Sequence, residues 1–220
     1  YLVGKTQGRF IVDALDLDNQ DGPFNIEMVT GDPGDNNVNF FFGGAMDVLQ
    51  PYIDAGKLVV PSGQMTKDEV ATANWATDAA QARFENILSS NYADGTPLHA
   101  VLASNDSTAL GVTNALAANY TNDVYPVITG QDCDIANVPN IVNGKQAMSV
   151  FKDTRTLATK VVEMVDAIMT GGEAPVNDTE TYDNGTGIIP SYLCEPVAVT
   201  ADNYKEILID SGYYTEGQIQ

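Results

Sequence analysis

Apolar residues along this chain follow two alternating rhythms. Short, mostly apolar runs occupy residues 24–30, 58–61, 100–103, 126–129 and 148–151. Between them lie longer stretches, 36–49, 71–88, 107–118, 135–142 and 154–169, in which apolar positions return every three or four residues. The first rhythm predicts strands and the second predicts helices. An unbroken run suits a strand whose sheet is covered on both faces. Strands alternating with helices in this way predict an α/β fold, a parallel sheet flanked by helices. The chain opens on helical spacing through Phe10, Ile11 and Leu15, so Tyr1 reads as part of a helix already under way, and a fragment or processed form is expected.

Two later stretches break the alternation. Residues 171–187 are rich in Gly, Asn, Asp and Thr and read as a loop or linker. Residues 188–199 read as an extended segment, and its Pro190 and Pro196 suit a crossing between structural units better than a central strand. Residues 201–209 read as one more helix.

Charge narrows the partners. The 220 residues include 30 acidic and 10 basic side chains, a formal net charge of −20. A polyanion is repelled, because nucleic-acid binding draws on basic side chains that displace counterions. An anionic membrane surface is disfavoured for the same reason, whereas a neutral ligand is fully compatible. No apolar run is long enough to span a bilayer. Two cysteines, Cys133 and Cys194, and a single histidine, His99, fall short of a zinc set, and no cofactor is expected. The cysteines read as isolated thiols, with a disulfide as the alternative in an oxidising compartment.

Candidate chemistry gathers where strands end, since a parallel sheet binds ligands beyond the carboxyl ends of its strands. Those positions hold Gly31-Asp32-Pro33-Gly34-Asp35-Asn36-Asn37, Ser104-Asn105-Asp106, Gly130-Gln131-Asp132 and Lys152-Asp153. Asn105 offers an acceptor and two donors, Asp132 accepts from neighbouring hydroxyls, and Lys152 donates. These are groups suited to vicinal sugar hydroxyls, although Asn and Asp also cap helices, and one residue can do both. Trp75, the only tryptophan, sits in Ala73-Asn74-Trp75 at the expected start of helix 71–88. It reads either as core or as a surface that stacks on the C–H face of a pyranose. The Phe40-Phe41-Phe42 run is expected to pack its helix inward, leaving one ring to line a cleft. Residues 16–22 fit a calcium loop only loosely, and no nucleophile elbow, phosphate loop or metalloprotease motif is present.

Taken in order, these stretches, together with Val150-Phe151-Lys152-Asp153-Thr154-Arg155 and the segment from Tyr182-Asp183-Asn184-Gly185 to Pro190-Ser191-Tyr192-Leu193, resemble bacterial solute-binding proteins for monosaccharides. The resemblance is narrower still to the xylose-binding and multiple-monosaccharide group of ABC-importer receptors. It implies two similar α/β lobes that close like a hinge on a sugar, with no catalysis. Trp75 would stack on the sugar, Asn105 and Asp132 would hold its hydroxyls, Lys152 would donate beside the hinge, and Asn37 and Asp35 would reach it from the first loop. Several relatives carry Arg where this chain has Phe41, a departure that touches that contact and sugar preference. The resemblance further implies an ABC permease as partner, a periplasmic or cell-surface location with a lipid anchor as one form, and a missing amino-terminal lobe. Residues 1–151 would form the carboxy-terminal lobe. Residues 152–187 would belong to the other lobe, leaving Leu157, Val161, Val162, Met164, Val165 and Ile168 without their usual cover, and 188–220 would return. The effector domain of a LacI-type transcription regulator shares the fold and is the alternative; a sugar-converting enzyme is a third class.

Overall fold

The structure, a computed structural model, describes residues 1–219. It divides into two compact units, residues 1–151 together with the chain from Ala198 onward, and residues 152–197.

In the first unit, α1 (Leu2–Ala14), β1 (Phe24–Val29), α2 (Asn36–Asp54), β2 (Leu58–Val59), α3 (Thr77–Asn91), β3 (Ala100–Ala103), α4 (Asp106–Asn119), β4 (Val127–Ile128), α5 (Val138–Val142) and β5 (Ser149–Phe151) follow in sequence. The main sheet has the order β2-β1-β3-β4, with every pairing parallel. A parallel bridge from Gln131 to Val150 carries it on to β5, which pairs with β6 (Val197–Val199). Side chains alternate across the strands. Ile26, Met28, Ala100 and Leu102 join the core beneath α1 and α2, while Val29, Val101 and Ala103 join the core beneath α3 and α4. Both faces are thus covered and mostly apolar, Glu27 of β1 being a buried exception, which explains the apolar runs. Each fully buried side chain of the size of Leu102, Ile26 or Phe84 contributes about 1.5–3 kcal/mol of transfer free energy.

The helices approach one another closely. A Cβ at Gly4 would overlap the carbonyl of Phe41 and one at Gly44 the carbonyl of Tyr1, so α1 and α2 cross almost backbone on backbone. Asp35 caps α2 by accepting from the Asn37 N–H at 2.9 Å, and Asn105 caps α4 by accepting from the Thr108 N–H at 3.0 Å.

Several expected boundaries move. The helix expected over residues 71–88 is split: Ala73–Trp75 form a single 3₁₀ turn and α3 starts only at Thr77. Asn74 and Trp75 both take φ near 55°, a left-handed conformation that an α-helix cannot propagate through. Periodicity alone runs across that break because apolar residues continue on both sides of it. The strand at 58–61 shortens to β2, and the helix at 135–142 starts only at Val138. The last helix is π-helical over Lys205–Asp210. Phe42 packs into the core and Phe41 turns toward Trp75.

The second unit holds α6 (Thr154–Met169), followed by a segment that folds back on itself through antiparallel bridges Asp178–Ser191 and Asp183–Ile188. The stretch expected as a loop or linker is thus a loop rich in turns that folds back through these bridges. Asp178, Asp183 and Asn184 each accept from backbone N–H groups two or three residues on, a local alternative to helix or ladder. No residue of α6 is buried, and Val162, Ile168 and Met169 stand well exposed.

One buried carboxylate ties the first unit together. Asp106 Oδ1 accepts from Gln146 Nε2 and Ser149 Oγ, each at 2.8 Å, and Oδ2 accepts from the Asp134 N–H at 2.8 Å. Its own N–H donates to the Gln131 carbonyl at 2.9 Å. Burial pushes the carboxyl up to about 7, against the pull of these donors. The folded state therefore holds the proton more tightly than the unfolded chain. The stabilisation this provides is complete below the ordinary 3.8 and is lost as pH rises through about 7. In denaturant unfolding, the stability of the native protein relative to Asp106→Asn should fall as pH climbs from 4 to 7, by at most about 1.4 kcal/mol per pH unit. A difference independent of pH would contradict the raised value.

Candidate functional site

The strand order sets the place. From β1 the chain moves outward to β2, then crosses back to β3 on the other side of β1, so the connections reverse direction between β1 and β3. A crevice opens at such a reversal, beyond the carboxyl ends of the strands. Here those ends are Thr30-Gly31 after β1 and Ser104-Asn105 after β3, linked by a bond from Ser104 Oγ to Thr30 Oγ1 at 2.9 Å.

The edge is held from below by a residue that sequence reasoning missed. Gln7 is buried on α1, and its Nε2 donates to the carbonyls of Ala103 at 3.3 Å, Ser104 at 3.2 Å and Gly130 at 2.9 Å. One amide thus gathers the ends of β3 and β4. The signal was available: Gln7 falls in line with Val3 and Ile11 on the buried stripe of its helix, where a polar residue calls for a partner.

Asn105 divides its side chain between two duties. Oδ1 accepts from the Thr108 N–H and closes the cap, while Nδ2 has no hydrogen bond among the described residues. The capping oxygen fixes where that NH₂ points. Asp132 and Lys152 are not helix caps; that part of the dual expectation holds for Asn105 alone, and the cap before α6 is Asp153. Asp132 stands half-exposed in a turn with φ near 97°, and Cys133 follows at φ near 52°. That turn is pinned by the Asp132 N–H donating to the Val150 carbonyl at 2.9 Å, by the Cys133 N–H donating to Ser149 Oγ at 3.0 Å, and by the Asp106 carboxylate beneath it. Lys152 is the first residue after β5 and belongs to the second unit, half-buried.

Trp75 joins the first loop. Gly31 leaves room for it, since a Cβ there would overlap the indole. The ring meets Phe41 edge-on, with centroids 6.4 Å apart, and Nε1 donates to Asp35 Oδ2 at 3.2 Å. Trp75 is half-buried, so it is not a sealed core residue. Asp35 therefore carries both the cap of α2 and the indole. Asn37 is exposed two residues further on, in the first turn of α2, and its side chain has no hydrogen bond among the described residues. The structure thus brings Trp75, Asp35 and Asn37 together on one loop pair, and joins Asn105 to the Asp132 turn through Asp106.

The remaining candidates are quieter. His99 Nδ1 accepts from the Asn25 N–H at 2.9 Å at the opposite end of the strands, and burial pushes its imidazole down. Cys133 and Cys194 are both free thiols. Among the described residues, no group of three or more His, Cys, Asp or Glu is placed to hold a metal, and no helix is long and apolar enough to cross a membrane.

The geometry agrees with what the chain is similar to. The multiple sugar-binding periplasmic protein SbpA of Azospirillum brasilense is 50% identical over 100% of this chain and 62% of that protein. The multiple sugar-binding periplasmic receptor ChvE of Rhizobium radiobacter is 46% identical over 100% of this chain and 63% of that protein. A crystal structure of an ABC transporter solute-binding protein from Clostridium phytofermentans, with bound β-D-glucose, superposes with a TM-score of 0.96 at 66% identity, covering 100% of this chain and 68% of that one. The chain thus spans less than two thirds of the length of these two curated relatives. The profile of the periplasmic binding protein domain matches residues 1–173. With the parallel sheet, the reversal in its strand order and these likenesses in agreement, the chain belongs to the periplasmic binding protein domain family.

Proposed function

We propose that this chain carries the sugar-binding lobe of a monosaccharide receptor for an ABC importer, one that binds an aldose and does not transform it. The observation that carries this reading is the half-buried indole of Trp75, seated on Gly31 and tied to Asp35 at the carboxyl end of β1. An aromatic face in a polar crevice suits the apolar C–H face of a pyranose, and the surrounding amide and carboxylate groups suit its hydroxyls. Trp75 covers the sugar. Asn105 donates through its unspent Nδ2, Asp132 accepts, and Lys152 donates from the segment after β5. Asn37 reaches in from the first loop, and Asp35 acts at its edge.

The likeness to a glucose-bound structure supports an aldohexose as the ligand class. The relatives reported above are binding proteins, which favours a receptor over a transcription regulator. Residues 1–151 and 188–220 would form the carboxy-terminal lobe, and 152–187 would pack with the amino-terminal lobe of the whole protein. Closure of the two lobes over the sugar creates the form that a membrane permease recognises. The protein would work in the periplasm or at the cell surface, with a lipid anchor in the latter case.

Calorimetric titration of the full-length protein with glucose, galactose, xylose and arabinose tests the reading. One of these should bind at one site per molecule and be recovered unchanged; absence of binding to all four, or conversion of the bound sugar, would refute it. Trp75→Ala should weaken binding by about tenfold to hundredfold, the loss of one large buried apolar contact. Unchanged affinity removes Trp75 from the site. Asn105→Asp keeps the capping oxygen but replaces the donor, so thermal stability should stay near that of the native protein while sugar affinity falls at least about tenfold. Loss of stability with intact affinity would assign Asn105 to capping alone.

A further inference from the structure

Asp32 lies in the first strand-end stretch but is given no role of its own by the sequence, yet its carboxylate joins the two loops that build the aromatic part of the site. Oδ1 accepts from the Gly34 N–H at 2.8 Å, an ordinary turn within the first loop. Oδ2 reaches 42 residues along the chain and accepts from the Asn74 N–H at 2.5 Å. The Asp32 carbonyl accepts from the Asp35 N–H at 3.0 Å. The two donors on the carboxylate hold Asp32 below the usual carboxylate range.

The residue it grips is the one that sets the direction of Trp75. Asn74 and Trp75 both sit at φ near 55°. Asparagine tolerates that region, but a bulky side chain there persists only when its surroundings over-determine it. The surroundings do so from three sides. Asp32 holds the Asn74 N–H, the Thr72 carbonyl accepts from the Trp75 N–H at 3.1 Å, and Asp35 accepts from the indole. The Thr72 bond is internal to the turn and the Asp35 bond acts on the ring. Only Asp32 anchors the turn's backbone through a charged group on the opposite loop.

We propose that Asp32 is a positioning residue for the aromatic platform: by holding the Asn74 N–H it fixes the left-handed turn, and with it the attitude of the Trp75 indole over Gly31 and against Asp35. This rests on the reading of Trp75 as the surface on which sugar stacks. Asp32 itself touches no sugar in this scheme.

The isosteric variant Asp32→Asn tests it. Its side chain puts an NH₂ donor where one of the two native acceptor oxygens stood, so with the backbone in place one of the Gly34 and Asn74 N–H groups faces a donor. The full-length protein is labelled with 5-fluorotryptophan, and the Trp75 resonance is assigned by its absence from Trp75→Phe. Sugar affinity is measured by calorimetry in a double-mutant cycle with Trp75→Ala. Asp32→Asn should shift and broaden the Trp75 resonance in the sugar-free protein and weaken binding by about tenfold. It should cost nothing further once Trp75 is Ala. An unmoved resonance, or an equal loss of affinity in the Trp75→Ala background, overturns the proposal. A moved resonance together with full-strength binding by Trp75→Ala upholds Asp32 as the residue that orients the indole and overturns the stacking reading beneath it.

Discussion

A single buried carboxylate links the parts of this fold that would otherwise be independent. Asp106 begins α4, yet its oxygens are engaged by the turn after β4, by the loop that enters β5 and by β5 itself. Leaving a buried acceptor unsatisfied costs about 1–3 kcal/mol, more if it is charged, so each donor is held to its place by the others. Asn137 strengthens the tie by donating to both the Asp106 carbonyl and Gln146 Oε1, each at 2.8 Å. The geometry of the 132–134 turn is inherited from this knot. Gln7 plays the matching part on the other face of the sheet, collecting the carbonyls at which β3 and β4 stop.

This arrangement reflects a general property of parallel sheets. Where a strand ends and a helix begins, the chain needs a side chain to receive the first free N–H groups, and Asn, Asp, Ser and Thr serve best. The same positions face the crevice at the reversal of the strand order. The polar groups that a ligand site needs are therefore supplied, in part, by the requirements of helix capping. Asp35 is such a residue, with one oxygen committed to the backbone and the other to the Trp75 indole, and Asn105 commits its oxygen to the cap and leaves its NH₂ to spare.

The alternation of strands and helices was legible because burial of both sheet faces writes apolar runs into the strands, unbroken in β3 and interrupted in β1 by Asn25 and Glu27. The strand-end positions of Asn105, Asp132 and Lys152 were legible for the same reason. What escaped was set by contacts distant in sequence. The break before α3 depends on backbone angles at Asn74 and Trp75, and neither residue type announces a left-handed turn as glycine would. Gln7 looked like an ordinary helix residue, and Asp106 only one polar residue of a strand-end stretch, until the carbonyls and donors they serve, one of them more than 100 positions away, were in view. The folding back of residues 177–193 depends on side chains that turn the backbone locally, whereas composition gave only a loop or linker followed by an extended segment.

Asn74, Trp75, Asp132 and Cys133 all lie at positive φ without being glycine, and all sit beside the proposed sugar contacts. Such residues store conformational strain, on the order of 1–3 kcal/mol each for those that are not Asn or Asp. Glycine would adopt these angles freely, but it would also delete the half-buried Trp75 indole and the buried Cys133 side chain and give the unfolded chain more conformations to lose. A crevice edge that glycine would leave pliant is here kept stiff by side chains that pin a backbone they do not themselves prefer.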